Sequence, residues 1–220
     1  YNSNSFFPKI LLIIDDVGGN LNTLNLFLKF NVNINFAVLP NQQYSDQSLY
    51  IIKQSNKNAL LHLPMEPVDS RWLSDKFPFI LTAQSFEQIK SIVWQLLDKY
   101  KTIDGINNHT GSKATADLEC MRNFMKTLVE YKNINNRNLF FVDSFTTPKS
   151  VAYNVALQYG IPAFLNQGFI DNIDDVITIK NRIIYFFQLS AVKKKIIILI
   201  GHNRNKTAKA MESLFAADNS

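Results

Sequence analysis

The amino-acid sequence predicts an α/β domain built as a distorted barrel of about seven strands. Three observations predict it. Short apolar runs alternate with longer amphipathic stretches along the chain, the signature of strand–helix units. Seven such units fit into 220 residues, a length that allows one domain with a full core. The apolar runs also end on acids, imidazoles and hydroxyls, which open parallel sheets and α/β barrels gather at one rim.

In chain order, strands are expected over 9–14, 35–39, 59–63, 103–107, 139–142, 163–165 and 196–200. Between the first two, Leu21, Leu24 and Leu28 recur at helical spacing. Ser85-Phe86-Glu87-Gln88 reads as a capping box, opening a helix whose apolar face carries Ile89, Ile92, Val93, Leu96 and Leu97. Leu118, Met121, Met125 and Leu128 make another core stripe. The Asn-rich stretch 132–138 reads as a helix-to-strand loop. Residues 150–159 read as a helix stopped by Gly160, with Pro162 beyond. The stretch 65–80 is too irregular for a helix and reads as a long loop leaving the third strand, the kind that often lines a site. The polar stretch 1–8 is expected to be a processed or disordered tail, and 9–216 a single domain.

Composition narrows the function classes. Hydrophobic residues make up 46% and charged ones 19%, a globular balance. The net charge of +5 is spread along the chain. Its one tight run, Lys193-Lys194-Lys195, reads as a solvated turn before a strand, so no nucleic-acid partner is expected. One cysteine, Cys120, excludes an internal disulfide and sits in a helical stripe as a core thiol. No apolar run approaches the roughly 18 residues of a membrane span. The chain lacks a G-x-S-x-G elbow, a P-loop and a G-x-G-x-x-G turn.

The chemistry-bearing residues cluster at strand ends. All 3 histidines do so: His62 in NALLHLPMEP, His109 in GINNHTGS and His202 in IIILIGHN. The first strand ends on Asp15-Asp16 and the fifth on Asp143. Taken singly, each has a plain structural reading: a helix cap for the acid pair, a polar turn around His109, a lone strand histidine at 62 with a surface Glu66. Taken together, they suit a metal or acid/base site. Neighbours on a strand point to opposite faces. A turn aided by Gly18 and Gly19 must therefore bring both aspartates to one site. Pro64 argues against a helix between His62 and Glu66, so a turn would be needed there too.

The motifs IIDDVGGN, FAVLP, LLHLPMEP, NNHTGSKATAD, LFFVDSFTT, SVAYNVA and the final Gly201-His202 occur in this order. In this they resemble the divergent (YibQ-like) polysaccharide deacetylases, relatives of the NodB-type carbohydrate deacetylases. The resemblance implies a distorted (β/α) barrel, a divalent metal, usually zinc, and removal of acetyl groups from a cell-envelope glycan in the periplasm or outside the cell. It implies Asp15 as base, Asp16 and His62 as metal ligands, and His202 as general acid. The family's second metal histidine is Glu66 here. His109 is then expected to supply the missing imidazole, with Glu66 a fourth or substitute ligand. Asp143 is expected to orient a histidine or hydroxyl, and Asn108, Ser112 and Ser144 to meet substrate. The alternative is a catalytically weak or inactive glycan- or envelope-binding module of the same fold, which the His-to-Glu change favours and the retained Asp15, Asp16 and His202 oppose.

Overall fold

The computed structural model describes residues 7–215. All but the last two residues of the expected tail, and residue 216, lie outside that range. Seven strands alternate with seven helices: β1 (Ile10–Val17), α1 (Leu21–Leu28), β2 (Ile34–Val38), α2 (Ser45–Gln54), β3 (Asn58–Met65), α3 (Phe86–Lys99), β4 (Gly105–Thr110), α4 (Leu118–Asn135), β5 (Phe140–Asp143), α5 (Ala152–Gln158), β6 (Ala163–Leu165), α6 (Val176–Lys193), β7 (Ile197–His202) and α7 (Asn205–Phe215). The sheet order is β6-β5-β4-β3-β2-β1-β7, and every pair is parallel. Residues 166–170 fill the gap between the edge strands. Asn166 N–H donates to the Asp143 carbonyl at 2.9 Å, and Gln167 N–H to the Ile198 carbonyl at 2.9 Å. Phe169 bridges to Ile200. The result is a nearly closed barrel with its helices outside.

The two faces of each strand go to two cores, as the period of two requires. One set of side chains, including Ile14, Phe36, Leu61, Ile106, Phe141 and Leu199, packs against the helices. The alternate set, Ile13, Ala37, Leu60, Val142 and Ile200, fills the barrel interior with Phe140, Phe169 and Ile198. Gly105 belongs to that inner set. A Cβ there would come within 2.7 Å of the Phe140 ring, so the glycine makes room for it.

The seven expected strands all form, but β1, β3, β4 and β7 run two or three residues further. The polar residues read as strand ends therefore lie within the carboxyl-terminal halves of the strands themselves. Pro64 lies inside β3, paired with His109. It is tolerated because β2 has already ended at Val38, opposite Leu61. The proline carbonyl there accepts from Ile80 N–H at 2.9 Å, on the side where no ladder donor is needed. The expected 132–138 loop is narrower, since α4 runs to Asn135 and ends on Asn136 in the left-handed conformation, φ 51°. Leu118 of the expected core stripe is exposed, while Met121, Met125 and Leu128 are buried. The capping box at Ser85 forms as the sequence predicts.

Candidate metal centre

The inner-face alternation carries the site. Two residues above Ile13, Leu60 and Ile200 stand Asp15, His62 and His202; two above Gly105 stands Asn107, and His109 follows. Asp15 faces His202 across the β1–β7 pairing, and His62 faces Asn107 across β3–β4. Asp16 would point outward on a regular strand. It does not, because β1 bulges: Ile14 pairs with Phe36 and Val17 with Val38, so three steps on β1 match two on β2. Asp16 takes the left-handed conformation, φ 60°. The bulge re-aims its carboxylate, and the turn lies in Asp16 itself as well as in Gly18 (φ 126°).

Three donor atoms meet there. His109 Nδ1 lies 3.1 Å from His62 Nε2. Asp16 Oδ1 lies 3.4 Å from His62 Nε2 and 3.2 Å from His109 Nδ1. Zinc bonds of roughly 2.0–2.2 Å in tetrahedral array place ligand atoms about 3.3–3.6 Å apart, close to this triangle. Asp16 Oδ1 is buried and has no hydrogen-bond partner. An orphaned carboxylate oxygen facing two imidazole nitrogens is a donor set that fits a divalent ion. Asp16, His62 and His109 are the residues that could hold it.

The neighbours fix the protons. Asn107 Nδ2 donates to Asp15 Oδ1 at 2.8 Å. Its Oδ1, 2.9 Å from His62 Nδ1, then accepts that ring's N–H and leaves the lone pair of Nε2 facing the cluster. Burial pushes the Asp15 carboxyl up, and the nearby His62 and His202 only partly offset it. Burial also opposes the charge of Asp16, but His109 and His62 outweigh it and hold that carboxyl well below the usual range. Burial disfavours charge on His62 too, yet Asp15 and Asp16 raise its pKa overall. The two adjacent carboxylates are thus split: Asp15 is readied to take a proton, Asp16 to stay ionised.

His202 is held from behind. Asp171 Oδ1 lies 2.7 Å from His202 Nδ1. Asp171 Oδ2 accepts from His202 N–H and from the Thr207 hydroxyl, each at 2.7 Å. Phe169 stacks on the imidazole at 5.9 Å between centroids. Burial opposes charge on His202, but the Asp171 carboxylate outweighs it and raises its pKa. With Nδ1 engaged, Nε2 remains for the cleft.

Asp15, Asp16, His62, His109 and His202 line a cleft of about 290 Å³ at this rim, together with Trp72, Asn108, Ser144 and Arg204. A larger apolar groove of about 670 Å³ lies at the other end of the barrel, and its walls contain no acid or imidazole.

Four expected site residues do other work. Glu66 is not in the ligand cluster. Its Oε1 accepts from Lys113 Nζ at 2.6 Å, and its Oε2 accepts from Thr82 N–H and the Thr82 hydroxyl, each at 2.7 Å. β3 runs straight on through Pro64, so no turn brings Glu66 back toward His62. Ser112 is spent in the same region, accepting from Val68 N–H at 3.0 Å. Asp143 reaches no histidine. It accepts from Phe145 N–H, Tyr153 N–H and the Ser150 hydroxyl, and so ties the β5–α5 loop. Asn108 lines the cleft but spends its amide on scaffolding, donating to the Thr110 carbonyl at 2.7 Å and accepting from Ser144 N–H at 2.8 Å. That bond steadies Thr110, a β-branched residue held at φ 53°. Ser144 also lines the cleft, and its hydroxyl donates to the Asn108 carbonyl.

Two residues of the site lie outside the expected set. Asn107 carried a signal, two positions before His109 on a strand. Asp171 follows a segment that does not read as a strand and becomes visible only once 166–170 closes the barrel.

Fold and cluster together define a class: an α/β barrel with a His-His-Asp cluster, of a kind that could hold a metal ion, at the carboxyl rim of its strands. The chain belongs to the divergent polysaccharide deacetylase family, whose sequence profile matches residues 12–219. It is 29% identical over 214 residues to an uncharacterized protein of Haemophilus influenzae, covering 97% of this chain and 73% of that one. It is 27% identical over 206 residues to the uncharacterized protein YibQ of Escherichia coli, covering 94% of this chain but 62% of the relative's length. The solved structure of an uncharacterized Agrobacterium tumefaciens protein superposes with a TM-score of 0.83 at 13% identity, over 96% of this chain and 83% of that one. A Thermus thermophilus lactam utilization protein gives 0.61 at 14% identity, over 94% and 97%, and shares the fold.

Proposed function

We propose that the protein is a metal-dependent hydrolase that removes acetyl groups from a cell-envelope glycan, working in the periplasm or outside the cell. Family membership supports the deacetylase-like reading. The observation that carries the metal-dependent version is the triangle of Asp16 Oδ1, His62 Nε2 and His109 Nδ1, with edges of 3.1–3.4 Å. Zinc suits its nitrogen and oxygen donors and the absence of cysteine from the cluster.

Asp16, His62 and His109 would hold the ion, which would supply Lewis-acid polarisation of an acetyl carbonyl and acidification of a water. Asp15 takes the proton of the attacking water, which its burial favours. Asn107 holds Asp15 and His62 in register during that transfer. His202, kept protonated and oriented by Asp171, gives a proton to the departing amine or alcohol from Nε2.

The test is acetate release from an acetylated glycan by protein loaded with zinc. Release should depend on the ion. Asp15→Asn should keep the ion and lose roughly 10²-fold in rate, the usual scale for a general base. Full activity in Asp15→Asn would reject this division of labour.

A further inference from the structure

We infer that the cleft takes an acetylated sugar bearing an anionic group, with the sugar ring on Trp72 and the anion on Arg204. This rests on the deacetylase reading of the same site. Both residues line the cleft. They rise from the loops after β3 and β7, which β1 and β2 separate on one side and β4, β5 and β6 on the other. The two residues thus reach the same cleft from loops that are not neighbours on the rim.

Trp72 is 66% exposed, unusual for the largest apolar side chain at a concave site. Its loop is nonetheless built to hold it. A 3₁₀ turn, Ser70–Trp72, is capped by Asp69, whose side chain accepts from Arg71 N–H and whose carbonyl accepts from Trp72 N–H at 3.1 Å. The loop is fastened at its base by Glu66, which meets Lys113 and Thr82, and by Ser112, which meets Val68. Glu66 and Ser112 therefore position the tryptophan platform. An exposed flat indole face suits the apolar C–H face of a sugar ring.

Arg204 is also exposed. Its Nη1 donates to the Asp171 carbonyl at 3.2 Å, and among the described residues no carboxylate pairs with it. Asp15 and Asp16 are the carboxylates lining the cleft, and a divalent ion on the cluster would balance both. Arg204 then leaves the cleft net positive, and its remaining N–H groups match a carboxylate or phosphate.

The experiment is calorimetric titration of the zinc-supplemented chain with three probes. These are the N-acetylglucosamine–N-acetylmuramic acid disaccharide, its neutral methyl ester, and N-acetylglucosamine 1-phosphate. The acid should bind about tenfold more tightly than the ester, the lower end for a charge-assisted hydrogen bond, and salt should narrow the gap. R204Q should bring the ratio close to one. W72A should weaken acid and ester by similar factors and keep the ratio. A stronger response to the phosphate sugar would assign the anion as phosphate. Equal binding of acid and ester by the wild type, a ratio that survives R204Q, undiminished binding by W72A, or no binding of any probe overturns the inference. Acetate release is read separately. Release without charge discrimination sinks the subsite alone, whereas Arg204-dependent binding without release sinks the deacetylase reading alone.

Discussion

Asp171 binds both the ring and the backbone of His202, at 2.7 Å each, and so fixes the proton and the orientation of the imidazole at once. The carboxylate is fully buried and shared with Thr207. Asp171→Asn should therefore lower the His202 pKa, because the charge that raises it is gone. The sign carries into stability. A raised histidine pKa contributes stability that is fully present below the unfolded value of about 6.5 and lost as pH rises through the folded value. Asp171→Asn should flatten that loss. Histidine NMR titration and urea unfolding at several pH values read both effects, and an unchanged His202 midpoint would contradict the pairing.

Asn107 joins His62 to Asp15 through one buried amide. Asn107→Ala should leave His62 Nδ1 and Asp15 Oδ1 without that partner, costing about 1–3 kcal/mol of stability. It should also weaken zinc binding by roughly 10–100-fold, as loss of a ligand's hydrogen-bonding partner does. Chelator competition measures the second effect, and zinc affinity equal to wild type would remove Asn107 from the site.

Glu66, expected from the resemblance as a metal ligand, pins a loop instead. Glu66→Gln should keep its zinc. It should lose on the order of 1 kcal/mol through Lys113 and Thr82, given that Lys113 is half exposed. Loss of zinc in this variant would return Glu66 to the ligand set.

Asp143 is buried and answers two backbone N–H groups and one hydroxyl in the β5–α5 loop. Asp143→Ala should destabilise the fold by about 2–3 kcal/mol. Its zinc stoichiometry should stay at wild-type level, which elemental analysis of the folded variant checks.

Strand alternation made most of this site readable. Ile13 to Asp15, Leu60 to His62 and Ile200 to His202 are steps of two on inner faces, and the apolar runs before them mark the strands. The limits are physical. Asp16 needed a bulge, which no local pattern announces. Asp143 and Asn108 bear the chemistry of function but spend it on backbone groups that only the folded loops expose. Asp171 and the Phe169 stack depend on 166–170 closing the barrel, a contact with Ile198 and Ile200 roughly thirty residues away. Glu66 was drawn toward the site by its spacing from His62, although a strand that runs on through Pro64 carries it off.

Asp16, His62 and His109 are proposed to hold one divalent ion. Zinc content measured by elemental analysis after loading and desalting tests this most directly. The wild type should carry about one equivalent, and Asp16→Asn, His62→Ala and His109→Ala should each carry far less while still folded by circular dichroism. Full occupancy in the His62→Ala, His109→Ala double variant would contradict it.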